Sequence, residues 1–222
     1  MRGAKARILA TVQGAIALSP RVRSVELHVS GSFSWRAGQH VGVSGVAGSG
    51  ARYYSLASVP NARGTVELCV GDSDDAPAFP LGGQVALSLP AGQPAVPSPV
   101  SSLVLVGVGT GVAPLRAVVQ EQAQLATPPR VTLLVGFRSE RDVLYESEFA
   151  RRAADGALDY RPVLSQPGSD WSGRTGRVQA HLGDLPRAER YCVCGKLAMV
   201  EDVRAALLAA GVLPAQLFAE GY

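Results

Sequence analysis

The chain has 222 residues, 47% hydrophobic and 18% charged. That length can bury one large domain or two small ones, and the charge content excludes a disordered polyelectrolyte. The net charge of +3 comes with no basic run longer than a pair, so nucleic acid is not indicated as a partner.

Three cysteines, Cys69, Cys192 and Cys194, exclude a disulfide scaffold and a four-thiolate iron–sulfur site within this chain. His28, His40 and His181 are scattered, and no HExxH or CxxC pattern occurs, so no metal site is expected. The first residues carry no signal-peptide apolar stretch, and no run of 18 apolar residues follows. A soluble cytoplasmic protein without a membrane span is the expectation.

In chain order, short Val- and Leu-rich segments come first, at 7–13, 22–29, 40–45, 54–58, 65–70 and 84–89. Gly, Pro, Ser and Asn separate them, the grammar of an antiparallel barrel or sandwich. A Pro-rich break follows, with Pro90, Pro94, Pro97 and Pro99. It can continue neither a helix nor a central strand. Beyond it the periods alternate. Strands are expected at 102–108, 131–137, 158–164, 190–194 and 217–222, and helices at 114–125, 143–154, 178–182 and 199–210. Apolar strands alternating with helices mean a parallel sheet with crossovers. The fold expected is therefore two-domain β + α/β, an N-terminal antiparallel β-barrel over 1–98 and a parallel-sheet nucleotide-binding domain over 99–222.

Four clusters carry possible chemistry. Gly107-Val-Gly109-Thr110-Gly111-Val-Ala-Pro114 follows a buried strand and opens a helix. Glycines there admit close ligand approach, and a helix start offers free N–H groups to phosphate. On its own the pattern is either a phosphate cradle or a tight turn. Arg52-Tyr53-Tyr54-Ser55 places a guanidinium, flat rings and a hydroxyl within four residues of one strand. It reads equally as an edge strand with a surface Arg. Cys192-Val-Cys194-Gly195-Lys196 with Met199 is a strand-to-helix turn at a carboxyl strand end, where open α/β sheets bind ligands. Glu220-Gly-Tyr222 ends the sequence, and alone it predicts nothing.

Taken together and in this order, the clusters resemble the ferredoxin–NADP reductase superfamily. Arg52-x-Tyr54-Ser55 is similar to its flavin motif, Gly109-Thr-Gly111-Val-Ala-Pro114 to its dinucleotide loop, Cys194-Gly195 with Met199 to its C-G-x-x-x-M turn, and Glu220-Gly-Tyr222 to its terminal E-x-aromatic. Arg36-Ala-Gly38-Gln39-His40-Val41 is similar to the family's P-G-Q-Y-V segment, with His for Tyr. The stretch from Leu164 through Trp171 to Val178 is also similar to a family segment.

The resemblance implies an NAD(P)H-dependent flavoprotein reductase. Hydride passes from nicotinamide to flavin, and electrons pass on to a separate acceptor protein: a ferredoxin, an oxygenase component or a haem protein. FAD is the implied flavin, with FMN the alternative. Arg52 is implied at a flavin phosphate, Tyr53, Tyr54 and Val70 at the flavin, and Ser55 at its reactive edge. Gly109, Thr110, Gly111, Pro114, Gly195 and Met199 are implied at the dinucleotide. Ser55, Cys194, Glu220 and Tyr222 are the implied catalytic group, with Tyr222 a cover over the flavin. Arg138 and Ser139, after the strand at 131–137, together with Arg174 and Arg177, suit a ribose 2′-phosphate, and Glu140 and Asp142 dilute that preference.

One segment departs from the family. Family members usually carry G-x-x-S/T at this point, opening a helix onto the second flavin phosphate. Here 71–80 is short and acidic, with Asp72, Asp74 and Asp75. That departure motivates the alternative of a weakly flavin-binding or non-catalytic regulatory module of the same fold.

Overall fold

The structure, a computed structural model, describes residues 7–46, 50–72 and 79–222. Asp74, Asp75 and most of the acidic 71–80 segment therefore lie outside the described residues.

The first half is an antiparallel sheet of six strands. They are β1 (Arg7–Ser19), β2 (Val22–Val29), β3 (His40–Gly45), β4 (Arg52–Ser55), β5 (Thr65–Gly71) and β6 (Gln84–Ser88), ordered β4-β3-β6-β1-β2-β5. An antiparallel bridge between Leu56 and Leu68 brings the β4 edge onto β5 and curls the sheet into a barrel. Its interior holds Val12, Val25, Leu27, Val41, Val43, Leu56, Val66, Leu68 and Leu87. These alternate with outward residues, as a sheet with one buried face requires.

Two differences from the expected elements have local causes. β1 runs six residues past Gln13, because its register against β2 shifts between Val12 and Gly14 and the bulge carries pairing onward. The strand expected at 54–58 lies instead at Arg52–Ser55. Leu56 keeps only an isolated bridge, and Pro60 follows where a strand would need an N–H.

The second half is a parallel sheet of β7 (Ser102–Val108), β8 (Arg130–Phe137), β9 (Asp159–Leu164), β10 (Arg174–Thr175), β11 (Arg190–Gly195) and β12 (Leu217–Gly221). The order is β10-β9-β8-β7-β11-β12, with every pairing parallel. Helices α1 (Val112–Ala123) and α2 (Glu146–Ala154) pack in a cluster with Leu105, Leu133 and Cys192. Helix α3 (Leu197–Ala209) packs in another with Val104, Val106 and Val193. The expected helix at 143–154 starts only at Glu146, because Tyr145 sits in the left-handed region at φ 57° and breaks the helical path. The expected short helix at 178–182 is a 3-10 turn, Val178–Asp184. β10, two residues long, is too brief to leave a periodic signal.

Chain order reverses between β7 and β11, which are neighbours in the sheet. This is the switch point where α/β sheets open a crevice at their carboxyl ends. The glycine-rich turn after β7 and the Cys194-Gly195 turn after β11 meet there.

The halves share a core. Ala37, Ala57, Cys69, Ala95 and Val96 from the barrel side join Leu105, Ala117 and Leu144 in one buried cluster. Polar clasps cross the same seam. The Arg116 guanidinium donates to the Ala57 carbonyl at 2.8 Å and to Glu67 at 2.7 Å, and its Nε donates to Glu148 of α2 at 2.5 Å. Its guanidinium carbon lies 4.4 Å from the Tyr145 ring centroid. Arg36 Nε donates to Glu121 at 2.6 Å, and Arg190 Nε donates to the Ala95 carbonyl at 2.8 Å.

Candidate functional site

Two cavities meet at the carboxyl edge of the parallel sheet. The one facing the barrel is about 450 Å³ and is lined by Arg52, Tyr53, Tyr54 and Ser55 of β4, His40 of β3, Cys69, Asp72, Ala113, Glu220 and Gly221. The other is about 600 Å³ and is lined by Val108, Gly109, Arg138, Arg177, Lys196 and Met199, with Ser19 and Arg21 reaching in from the β1–β2 turn. Thr110 and Tyr222 line both and form the wall between them.

That wall is tied in place. The Tyr222 hydroxyl lies 2.7 Å from the Thr110 hydroxyl, and the Tyr222 N–H donates to the Gly195 carbonyl at 3.1 Å. The Leu197 N–H donates to the Tyr222 carbonyl at 3.2 Å. β12 pairs with β11 up to Gly221, so backbone pairing holds Tyr222 while the residue as a whole stays 60% exposed. Burial of the hydroxyl end against the turn after β7 pushes the phenol up to about 12, and the Thr110 hydrogen bond opposes that rise.

Two glycines are required by backbone approach. A Cβ on Gly111 would overlap the Cys194 carbonyl, so this glycine lets the turn after β7 pack on the end of β11. Gly195, at φ 150°, would drive a Cβ within 2.8 Å of the Met199 methyl. Gly111 and Gly195 thus shape the crevice by packing rather than by lining either cavity.

On the barrel side β4 contributes one guanidinium, two phenol rings and a serine hydroxyl, with Tyr222 and small Gly221 beside them. Arg for a phosphate, flat rings for a planar heterocycle and a hydroxyl for its polar edge fit a flavin. Burial raises the Tyr54 phenol, opposed by Arg52 and Arg23. The second cavity gathers Arg21, Arg138, Arg177 and Lys196 against two carboxylates, Asp142 and Asp202, a net cationic set suited to a phosphorylated dinucleotide. Arg138 Nε donates to Gln166 at 2.8 Å, which orients the guanidinium.

Several sequence candidates are placed elsewhere. Val70 is fully buried in the barrel core, where its side chain packs with Leu68 and Leu87. The Ser139 hydroxyl donates to Asp142 at 2.6 Å and caps its own turn. Arg174 lies on β10, outside the lining of both cavities. Pro114 is buried within the first turn of α1. Cys194 is 1% exposed, and burial first and the neighbouring Glu220 second push its thiol above the ordinary range.

Sequence reading passed over His40, Cys69 and Arg21 as site residues. His40 pairs in register with Ser55 across β3 and β4, a signal carried by strand pairing rather than by local pattern. Arg21 gave no signal because a two-residue turn between strands looks like any other.

Residues 105–205 match the family described as the oxidoreductase NAD-binding domain. The chain is 32% identical over 212 residues to ferredoxin–NADP reductase B of Sorangium cellulosum strain So ce56, covering 84% of this chain and 85% of that protein. Among solved structures it is similar to the Amycolatopsis cytochrome P450 reductase, with a TM-score of 0.86 and 26% identity over 97% of this chain and 69% of that one. A ferredoxin NADP+ reductase from Neisseria gonorrhoeae, solved with bound FAD and NADP, shares the fold at a TM-score of 0.82 and 20% identity, covering 98% of this chain and 99% of that one. The chain belongs to the ferredoxin–NADP reductase superfamily and is an NAD(P)H-dependent flavin oxidoreductase.

Proposed function

We propose that this protein takes FAD in the barrel-side cavity and NAD(P)H in the sheet-side cavity, and delivers electrons to a separate acceptor protein. The observation that carries this is the shared wall: Thr110 and Tyr222 border both cavities. Two bound rings must meet to exchange hydride, and a movable aromatic between their sites allows it. The flavin unit is taken as 1–98 and the nicotinamide unit as 99–222.

The roles follow from placement. Arg52 grips a flavin phosphate, Tyr53 and Tyr54 flank the ring system, and the Ser55 hydroxyl faces its polar edge. Gly109 and Thr110 hold the dinucleotide near its reactive end, and Met199 packs against the Gly195 turn beside them. Arg138 and Arg177 read the ribose 2′-phosphate, which favours NADPH. Glu220 and Cys194 sit behind the reacting edge, and Tyr222 excludes water until nicotinamide takes its place. The bound cofactors supply hydride and electron transfer, and the protein binds, orients and shields them. Acceptors of the class named in the relatives, a ferredoxin or a P450-type haem protein, suit a chain with three buried thiols and no cluster ligands of its own.

Purified protein should be yellow, release FAD on denaturation as read by mass, and oxidise NADPH when an acceptor such as ferricyanide is supplied. A second reading, a weakly flavin-binding module, is favoured by Asp72, an acidic residue that lines the barrel-side cavity together with Arg52. Colourless protein with no NAD(P)H oxidation after addition of FAD or FMN selects that reading.

A further inference from the structure

Glu220 and His40 come from opposite halves and meet in the barrel-side cavity. His40 Nδ1 lies 3.5 Å from Glu220 Oε1, and the two side chains are 28% and 30% exposed. The other carboxyl oxygen, Oε2, is buried without a hydrogen-bond partner among the described residues. The imidazole is held from several sides. Its backbone exchanges hydrogen bonds with Ala91, at 3.0 and 2.9 Å. Its ring meets Tyr53 edge-on with centroids 5.8 Å apart, and a Cβ on Gly92 would come within 3.2 Å of Nδ1.

A carboxylate with one oxygen buried and unpaired is disfavoured, so such a group tends to keep a proton. An imidazolium beside the other oxygen favours the ionised form. The two effects oppose each other at Glu220: burial raises the carboxyl above its ordinary range, and His40 pulls it back. Other titratable and charged groups face the same space. They are Arg52, Tyr53 and Tyr54 of β4, Cys69 and Asp72 from β5 and its end, Cys194 as the register partner on β11, and Tyr222. Cys194 is a protonated thiol at neutral pH, and Tyr222 a protonated phenol, so neither adds negative charge beside the carboxylate.

We infer that His40 is a positioning residue for Glu220, holding its carboxyl at the wall of the barrel-side cavity and setting whether it carries a proton there. This rests on reading that cavity as the flavin site. The pair joins a barrel residue to the sheet's edge strand, so the proton state at the reacting edge depends on both halves being docked.

The test is a carboxyl-carbon NMR titration of the full chain labelled at glutamate, with the Glu220 signal assigned by its loss in Glu220→Gln. In His40→Ala the midpoint of Glu220 should rise by about one pH unit, the effect of losing an opposite charge at this range. His40→Gln, which keeps a donor without the charge, should return part of that shift. In the parent protein the His40 imidazole resonances should also move as Glu220 titrates, and this movement should vanish in Glu220→Gln. A Glu220 midpoint unchanged in His40→Ala, or imidazole resonances blind to the carboxyl, overturns the inference. Failure of the flavin reading looks different: the protein lacks FAD while the carboxyl–imidazole coupling persists.

Discussion

The Tyr222 hydroxyl reaches the Thr110 hydroxyl at 2.7 Å, so the side chain that ends the sequence closes onto the turn after β7. Each partner lines both cavities, and in the proposed function the hydrogen bond between them is the latch that nicotinamide must open. A ligand that binds only with the latch open loses affinity in proportion to the open fraction. In Tyr222→Ser, nicotinamide binding should tighten by about two- to tenfold, the equivalent of a lost aromatic contact of about 0.5–1.5 kcal/mol. Discrimination between NADPH and NADH should relax with it. Titrating oxidised protein with NADP+ and NAD+ while following the flavin spectrum measures both. Thr110→Val, which removes the latch hydroxyl and keeps the backbone of the turn, should move affinity in the same direction by less.

Arg52 is the guanidinium among the barrel-side lining residues. Its loss in Arg52→Ala should weaken flavin binding about ten- to a hundredfold, as expected for a charge-assisted hydrogen bond of about 1.5–3 kcal/mol. Flavin retained after extensive dialysis, measured by absorbance, checks this. Unchanged retention refutes it.

Arg138 lines the sheet-side cavity and Arg174 does not, although both are arginines near the same strand ends. Arg138→Ala should therefore raise the KM for NADPH well above its effect on NADH. Arg174→Ala should leave the ratio of the two unchanged. Steady-state kinetics with both nucleotides separates the residues, and equal effects on both nucleotides in Arg138→Ala would remove its assignment to the 2′-phosphate.

Arg116 is the polar clasp of the seam, with its side chain 12% exposed and two carboxylates bound to it. Arg116→Ala leaves Glu67 without its cation and Glu148 with only the longer contact to Arg152, and should destabilise the protein by about 3 kcal/mol or more. Thermal unfolding then falls by about 10 °C for a chain of this size. The acid side follows from Glu148. Burial pushes its carboxyl up, but the Arg116 charge and hydrogen bonds outweigh that and hold it below the ordinary range. A carboxyl lowered in the folded state stabilises fully above the ordinary glutamate value of about 4.3, and that stabilisation is lost as pH falls from there through the folded value. Chemical denaturation across this window should show a smaller acid slope in Glu148→Gln than in the parent.

Much of the architecture was legible because apolar patterning carries it. The segments at Val22–Val29, His40–Gly45 and Ser102–Val108 have the bounds read from sequence. What escaped was set by contacts distant in the chain. The Val12/Gly14 bulge depends on the β2 register, and the left-handed Tyr145 on packing under Arg116. In the site, the glycine-rich turn, the Arg52–Ser55 strand and Tyr222 were visible as types at fixed offsets, and the structure brings them together. Val70, Ser139 and Arg174 had the right neighbours in sequence but point into the core, the local turn or another strand edge. His40 escaped because its partners, Ser55 and Glu220, lie 15 and 180 positions away.

The three free thiols are all buried, and burial pushes Cys69 and Cys192 up to about 12 and Cys194 higher still. Thiolates are the species that react with maleimides and disulfides, and here they are scarce at neutral pH. The native chain should therefore stay unlabelled by such reagents while folded. One cysteine placed on an exposed position such as Leu213 becomes a selective handle. A fluorophore, a gold electrode or a fused electron carrier attached there would sit past the last turn of α3, whereas the first turns of that helix line the sheet-side cavity.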